Sequence, residues 1–477
     1  MKNRIHFLGH EKNKNSLTLP AIAIDMNDKR TVVDPGKGMI VNEEIGSTPY
    51  APNTSSIQDG KSIDQVFLSH GHMDHVAYTP ALCNQEMLSS EAKIRGTVQT
   101  NEILELMAWD DLRKGTTDFN TIDAIELSSR LQEFKTGENI IDGEPIYAVP
   151  NGHMPGSRSF MFRTPSGRIF LFFGDACWHD QATVQRGLWP SEYPKEWIPD
   201  EMTTDLTYAS GNMGEEKTYE QKKEEFIEAV REELQAGNTV VVQGFASVKL
   251  PNAVHDLAAA GIPCFVDSPM AWKILDLYSS KRSSDRDNII LAPGNGVGIY
   301  TVGGRNHRRE LMEDNESKVV LATGGMGDFG PVLDWYDYGL PRYNFSFFPT
   351  SWLAPGSNGG RLIDLVAKYP EWQGNEENRI ARLRFQGKTR NSSVEWRNIP
   401  VQAKVKRFGM SSHALFGDLI HYLTQLIDIR SGRPLERIFL VHGTAEAKER
   451  AKKELKIFAK EVIDPEKDLP DHTAELI

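Results

Sequence analysis

The stretch His70-Gly71-His72-Met73-Asp74-His75 limits what this chain can be more than any other. It packs three imidazoles and a carboxylate into six residues of a 477-residue chain with 13 histidines. It follows Val66-Phe67-Leu68, an apolar run that reads as the end of a buried strand. On a strand-to-loop transition, His70 and His72 have period-two spacing and can point the same way. Asp74 and His75 fall one step further on and can face a second point. Two-metal hydrolytic sites need such a split, with ions roughly 3.5–4 Å apart. Imidazole and carboxylate donors suit zinc. The competing reading is a solvated histidine-rich loop with no metal. The choice rests on whether the rest of the chain supplies further ligands.

Length and composition set the frame. A chain of 477 residues can hold two or three ordinary domains. With 39% apolar and 25% charged residues it is expected to fold and to be soluble. Its three cysteines, Cys83, Cys177 and Cys264, are odd in number and form no C-x-x-C pair. A disulfide framework is not expected, which fits a reducing compartment. The N-terminus lacks an apolar core of signal-peptide length, and no run approaches a membrane span, so the cytoplasm is expected. The net charge of −12 does not advertise nucleic-acid binding, whose usual footprint is a basic face. Two zinc ions would nonetheless place four positive charges where a phosphate would sit.

The chain changes texture along its length. Ala21–Ile24 and Thr31–Val33 read as a hairpin ending at Asp34-Pro35-Gly36. Residues 37–62 read as a long surface loop. Arg158–Phe162 and Arg168–Phe173 form a second hairpin, running into Gly174-Asp175. From about residue 210, helix and strand patterns alternate: a helix over 218–235 stopped by Gly237, a strand at Thr239–Val242, then helices near 252–260 and 270–280. Strands at Cys264–Val266 and Val319–Leu321 complete the reading of a parallel α/β domain. Residues 373–399 are polar and read as a boundary. Beyond them come a strand at Val401–Arg407, a strand at Arg437–Val441 and a helix from about Ala445 to Ala459.

Further metal-competent side chains stand at strand ends. His153 lies in a loop after Ile146–Val149, Asp175 ends the apolar run Ile169–Phe173, and His442 follows Arg437–Val441. A carboxylate at the end of a buried strand needs a partner, because an unpaired buried charge is costly. Taken singly, each has an ordinary alternative: a solvated loop histidine, a helix cap, a turn residue at Asp34.

Together, the order Asp34, His70/His72/Asp74/His75, His153, Asp175 resembles the four motifs of the metallo-β-lactamase superfamily. The resemblance narrows to its β-CASP branch, the nuclease group containing ribonuclease J and the endonuclease subunit of the cleavage and polyadenylation factor. Three further motifs carry it: Asp205-Leu206-Thr207-Tyr208, Ser411-Ser412-His413-Ala414 and Leu440-Val441-His442-Gly443. The connecting stretches Gly244-Phe245-Ala246, Val266–Met270, Thr323-Gly324-Gly325-Met326 and Ala354-Pro355-Gly356-Ser357 are similar too. The first of the three motifs departs from the family's Glu-Ser-Thr-Tyr-Gly, and Asp200 and Glu201 are nearby alternatives to Asp205. The glycine-rich N-terminal stretch of many members is replaced by Glu11–Asn15.

The resemblance implies an α/β chain: an αββα metallo-β-lactamase sandwich of residues 1–208 and 398–477, with an α/β β-CASP domain, 209–397, inserted. It implies two zinc ions, one held by His70, His72 and His153, the other by Asp74, His75 and His442, with Asp175 bridging. A bridging water, largely hydroxide near neutral pH, would attack phosphorus. His413 would bind the phosphate and protonate the leaving oxygen, and Asp205 would orient it; Asp74 counts with them as catalytic. Asp34 is assigned to support. The glycine-rich turns at 323–327 and 356–360 would either offer backbone N–H groups to nucleic acid or serve only as tight turns. The implied activity is zinc-dependent ribonuclease, endonucleolytic, 5′→3′ exonucleolytic or both. RNA-acting members keep the histidine matched by His442, and DNA-acting members tend to lack it. A DNA nuclease of the same fold and a small-molecule metallo-hydrolase are the alternatives. Single-stranded RNA is the expected partner, no membrane is, and a homo-oligomer is compatible.

Overall fold

The computed structural model describes residues 3–9, 17–42, 46–115, 117–210, 217–279, 297–370, 379–385 and 394–477. The stretch Glu11–Asn15 lies outside them. Two seven-stranded sheets face each other. The first runs Thr473–Glu475, Arg4–Phe7, Ile22–Met26, Lys29–Val33, Ile63–Phe67, Leu88–Gly96, Leu131–Glu133. The second runs Ala459–Ile463, Leu435–Phe439, Glu201–Thr203, Ile169–Phe172, Arg158–Arg163, Glu144–Pro150, Gly137–Ile141. Their inner faces meet through Phe7, Phe67, Phe160, Phe162, Phe170, Phe172 and Phe439, all buried. Phe67 stacks on Phe162 at 5.8 Å and meets Phe134 edge-on at 5.1 Å, which anchors the strand leading into His70. Helices Val98–Lys114 and Thr121–Arg130 cover the first sheet, and Phe416–Ile429 and Ala445–Glu454 cover the second. The layers are therefore αββα.

A third, wholly parallel sheet forms a separate α/β unit in the order Ile299–Thr301, Cys264–Asp267, Val319–Thr323, Thr239–Gly244, Phe345–Pro349, Lys404–Val405. Its strands read as continuous apolar runs because helices bury both faces. Helix Tyr219–Gln235 starts at a Thr218/Gln221 capping box and stops before Gly237, whose φ is +82°. This unit interrupts the sandwich, whose two parts rejoin where Glu201–Thr203 pairs in parallel with Leu435–Phe439. No helix among the described residues is long and apolar enough to cross a membrane, and Cys83, Cys177 and Cys264 are free and buried.

Four local expectations change. Within 37–62 the chain forms a hairpin, Gly38–Asn42 with Gly46–Tyr50. Around the polar stretch 373–399, Ile380–Phe385 and Glu395–Pro400 also pair, with Arg382 exposed and Arg384 buried. The sheet of the inserted unit takes in only Lys404–Val405 of the strand expected over 401–407, and so reaches past residue 397. The helix from Ala445 ends at Glu454, because Ala459–Ile463 joins the second sheet beside Leu435–Phe439.

Arg30 is fully buried and clamps the segment before the histidine strand. Its guanidinium donates to Asp25 and Asp59 at 2.8 Å and to the carbonyls of Ile57 and Lys61. The Arg30 hydrogen bond holds the Asp59 carboxyl down to about 2. The clamp is thus present above the usual carboxylate range and fades as pH falls towards that value. Arg30→Met should destabilise the protein by about 3 kcal/mol at neutral pH, read as a lower urea midpoint. An unchanged midpoint would show that the clamp contributes nothing.

Candidate metal centre

The strands end together on one rim. Lys29–Val33 and Ile63–Phe67 are parallel neighbours, so Asp34 and the Ser69–His70 turn emerge side by side. Asp175, Asp205 and His442 follow Ile169–Phe172, Glu201–Thr203 and Leu435–Phe439, which are parallel neighbours in the facing sheet. His153 follows Glu144–Pro150. Asp34 and His442 have φ of +51° and +52°, a left-handed conformation that costs a non-glycine residue about 1 kcal/mol. Gly36 lets the chain cross the short helix Met73–Val76, since a Cβ there would lie 1.8 Å from the Asp74 carbonyl oxygen.

The side chains sort into two donor groups. In the first, His70 Nε2 lies 3.1 Å from His72 Nδ1, which lies 2.9 Å from His153 Nε2. Asp175 Oδ2 stands 3.6 Å from both His70 Nε2 and His153 Nε2. In the second, Asp74, His75 and His442 converge, and Asp175 Oδ1 lies 3.3 Å from His75 Nε2 and 3.2 Å from His442 Nε2. Asp175 thus offers one oxygen to each group. His70, His75, His153, Asp175 and His442 are buried, while His72 and Asp74 are half-buried at the opening.

Outer partners set the rings. His153 Nδ1–H donates to the Ser412 carbonyl at 2.8 Å, and His442 Nδ1–H donates to the Thr18 carbonyl at 3.1 Å. A carbonyl only accepts, so each ring turns a bare Nε2 inward. His75 Nδ1–H donates to Asp34 Oδ2 at 2.6 Å, and Ser69 donates to Asp34 through both N–H and hydroxyl. Asp34 therefore touches the back of His75. Ser69 and the carbonyls of Thr18 and Ser412 carry no sequence signal of this role. Ser69 is notable only for preceding the cluster.

Burial holds His70 and His153 well below the ordinary imidazole value and lowers His72 to about 4, so their lone pairs are free at neutral pH. Burial opposes charge on His75 as well, but Asp175 and Asp34 outweigh it and raise that ring well above its usual value. Its Nε2 therefore attracts a cation or a proton. Among the described residues, His75 Nε2 and Asp175 Oδ1 are buried and have no well-formed hydrogen bond beyond the ion-pair contacts just given, although desolvating such atoms is costly. Three converging imidazole nitrogens and these two orphaned atoms fit divalent cations with nitrogen and oxygen ligands, such as zinc.

His413 stands beside the first group. Its Nδ1 lies 3.2 Å from Asp205 Oδ2 and 3.7 Å from Asp175 Oδ2, and its ring is 4.4 Å from that of His153. Burial disfavours its charged form, but Asp175 and Asp205 raise it above the usual imidazole value. Asp205 also accepts from the amides of Ala176 and Thr207, so its place is fixed. Asp200 and Glu201 are engaged elsewhere, by Arg430 and Arg437. The glycine-rich turns are braced against each other: the amides of Gly327, Asn358, Gly359 and Gly360 all bond within the pair. A cleft of about 910 Å³, lined by Asp180, Glu220, His255 and Asp256, contains none of the metal-competent residues above.

Residues 250–362 match the Beta-Casp domain family, and residues 398–465 match the Zn-dependent metallo-hydrolase RNA specificity domain. The second span contains His413 and His442. The chain is 26% identical over 417 residues to the protein named Ribonuclease TTHA0252 of Thermus thermophilus, covering 81% of this chain and 83% of that one. It is 23% identical over 412 residues to an RNase J-like protein of Methanocaldococcus jannaschii, covering 82% and 85%. It is 20% identical to the Transcription termination factor FttA of Methanothermobacter thermautotrophicus, spanning 87% of this chain and 63% of that protein. A crystal structure of an Enterococcus faecalis protein of unknown function shares the fold, with a TM-score of 0.56, 14% identity and full coverage of both chains.

Proposed function

The chain belongs to the β-CASP family of metallo-β-lactamase-fold nucleases, and from that premise we propose that it is a zinc-dependent ribonuclease hydrolysing RNA phosphodiester bonds. The observation that carries the proposal is Asp175, which offers one oxygen to each donor group while His413 stands 3.7 Å from the second oxygen. His70, His72 and His153 would hold one zinc ion and Asp74, His75 and His442 the other, with Asp175 shared. Bound zinc supplies positive charge for the phosphate and acidifies water near neutral pH.

The chain's own residues do the rest. His153, His442 and His75 are fixed from behind by Ser412, Thr18 and Asp34, so the donors are preorganised. His413, whose charged form is favoured by Asp175 and Asp205, binds the phosphate. As hydroxide forms the new P–O bond and the P–O3′ bond breaks, His413 passes a proton from Nε2 to O3′ and regains one from solvent. Asp205 keeps Nδ1 engaged and steadies the ring throughout. Single-stranded RNA is the proposed substrate, on the strength of the RNA-specificity match and the ribonuclease-named relatives. The test is matched single-stranded RNA and DNA, labelled at the 5′ or the 3′ end, with and without chelator. Chelator-sensitive cleavage of RNA over DNA is expected. Preference for DNA would overturn the substrate, and chelator-resistant cleavage would overturn the zinc. The first product lengths separate endonucleolytic from 5′→3′ exonucleolytic action.

A further inference from the structure

The inserted unit reaches the loop of His413 through Lys249. This residue opens helix Lys249–Ala259, just beyond the strand Thr239–Gly244. Its Nζ donates to the Met410 carbonyl at 2.6 Å and to Ser412 Oγ at 3.0 Å. The sandwich holds the same loop from the other side. His153 donates to the Ser412 carbonyl, His179 Nε2 lies 3.2 Å from the Ser411 carbonyl, and the Ala414 amide donates to Ala176. Lys249 thus ties the inserted unit directly to residues 410–412. Burial lowers its ammonium to about 8, so it is still largely charged at neutral pH. Both bonds are therefore charge-assisted, the stronger class of hydrogen bond. Held at Met410 and Ser412, the loop keeps the Ser412 carbonyl on His153 and the His413 ring between Asp205 and Asp175.

We infer that Lys249 is a positioning residue for His413, making proton donation depend on the docking of the inserted unit. This rests on the reading of His413 as proton donor. The test uses the full, zinc-loaded chain with Lys249→Met, Lys249→Arg, His413→Ala and the double variant Lys249→Met/His413→Ala. Lys249→Met should lower kcat about 10- to 100-fold, as expected for the loss of charged hydrogen bonds. With zinc in excess the variant should still load zinc, the loss should fall more on kcat than on KM, and Lys249→Arg should recover part of the rate. In the His413→Ala background, Lys249→Met should add less than about twofold, because it acts through a ring already absent. Amide hydrogen exchange should quicken over residues 408–415 and not over the strand Thr239–Gly244.

Parent kcat in Lys249→Met, or multiplicative losses in the double variant, would overturn the inference. A raised KM with unchanged kcat would make Lys249 a direct RNA contact instead. Faster exchange through the strand would make its role structural. A parent that cleaves no RNA would defeat the proposed function, and the exchange measurement would still decide whether Lys249 fixes the loop.

Discussion

His413→Ala is expected to lower RNA cleavage about 10²- to 10⁴-fold while the protein keeps its full zinc content. Those magnitudes are what a positioned proton donor contributes. The residue is in neither of the two donor groups described above; it converges only with Asp175 and Asp205. Removing the ring leaves His70, His72, His153, Asp74, His75 and His442 in place. It leaves the departing O3′ without a proton. Single-turnover cleavage with metal analysis of the same sample checks both halves. A zinc-loaded His413→Ala protein cleaving at the parent rate would refute the acid assignment.

Asp175→Asn is expected to fail differently, losing both activity and metal. Its two oxygens face different donor groups, Oδ1 towards His75 and His442 and Oδ2 towards His70 and His153. The carboxylate is held well below its ordinary value, because His442, His75 and His413 outweigh the cost of burial. An amide of the same shape keeps the packing and removes the charge that both groups share. Outer partners of metal ligands typically cost 10- to 100-fold in metal affinity or activity when removed, and a shared inner carboxylate should cost more than about 100-fold. Zinc per chain, measured by mass spectrometry after dialysis, should fall along with cleavage. Parent zinc content in Asp175→Asn would show that the residue holds no metal.

What the sequence discloses about this centre follows from strand geometry. Asp34, His70, His153, Asp175 and His442 each close or follow an apolar strand, and such strands end on one rim in this architecture, whereas Asp205 follows the short polar strand Glu201–Thr203. Their partners are less visible. The Thr18 carbonyl meets His442 across 424 positions, and a backbone group leaves no mark in side-chain chemistry. Lys249 looks like any lysine at the start of a surface helix until its Nζ is seen under Met410 and Ser412. Ile380–Phe385 alternates apolar and charged residues, a legible strand, yet the polar stretches around it read as a linker. Trp396 on the paired strand covers Arg382 and Arg361 at 4.8 and 5.0 Å, a partnership that exists only once the hairpin forms. The Gly38–Tyr50 hairpin stays hidden because Pro49 and its polar neighbours suggest loop.

The central claim is that two cation sites sharing Asp175 serve phosphodiester hydrolysis. The most direct measurement strips the protein of metal and returns zinc in steps, following single-stranded RNA cleavage against zinc bound per chain. Cleavage should be absent without metal and should plateau at two equivalents. Cleavage by the metal-free protein at the zinc-loaded rate would contradict it.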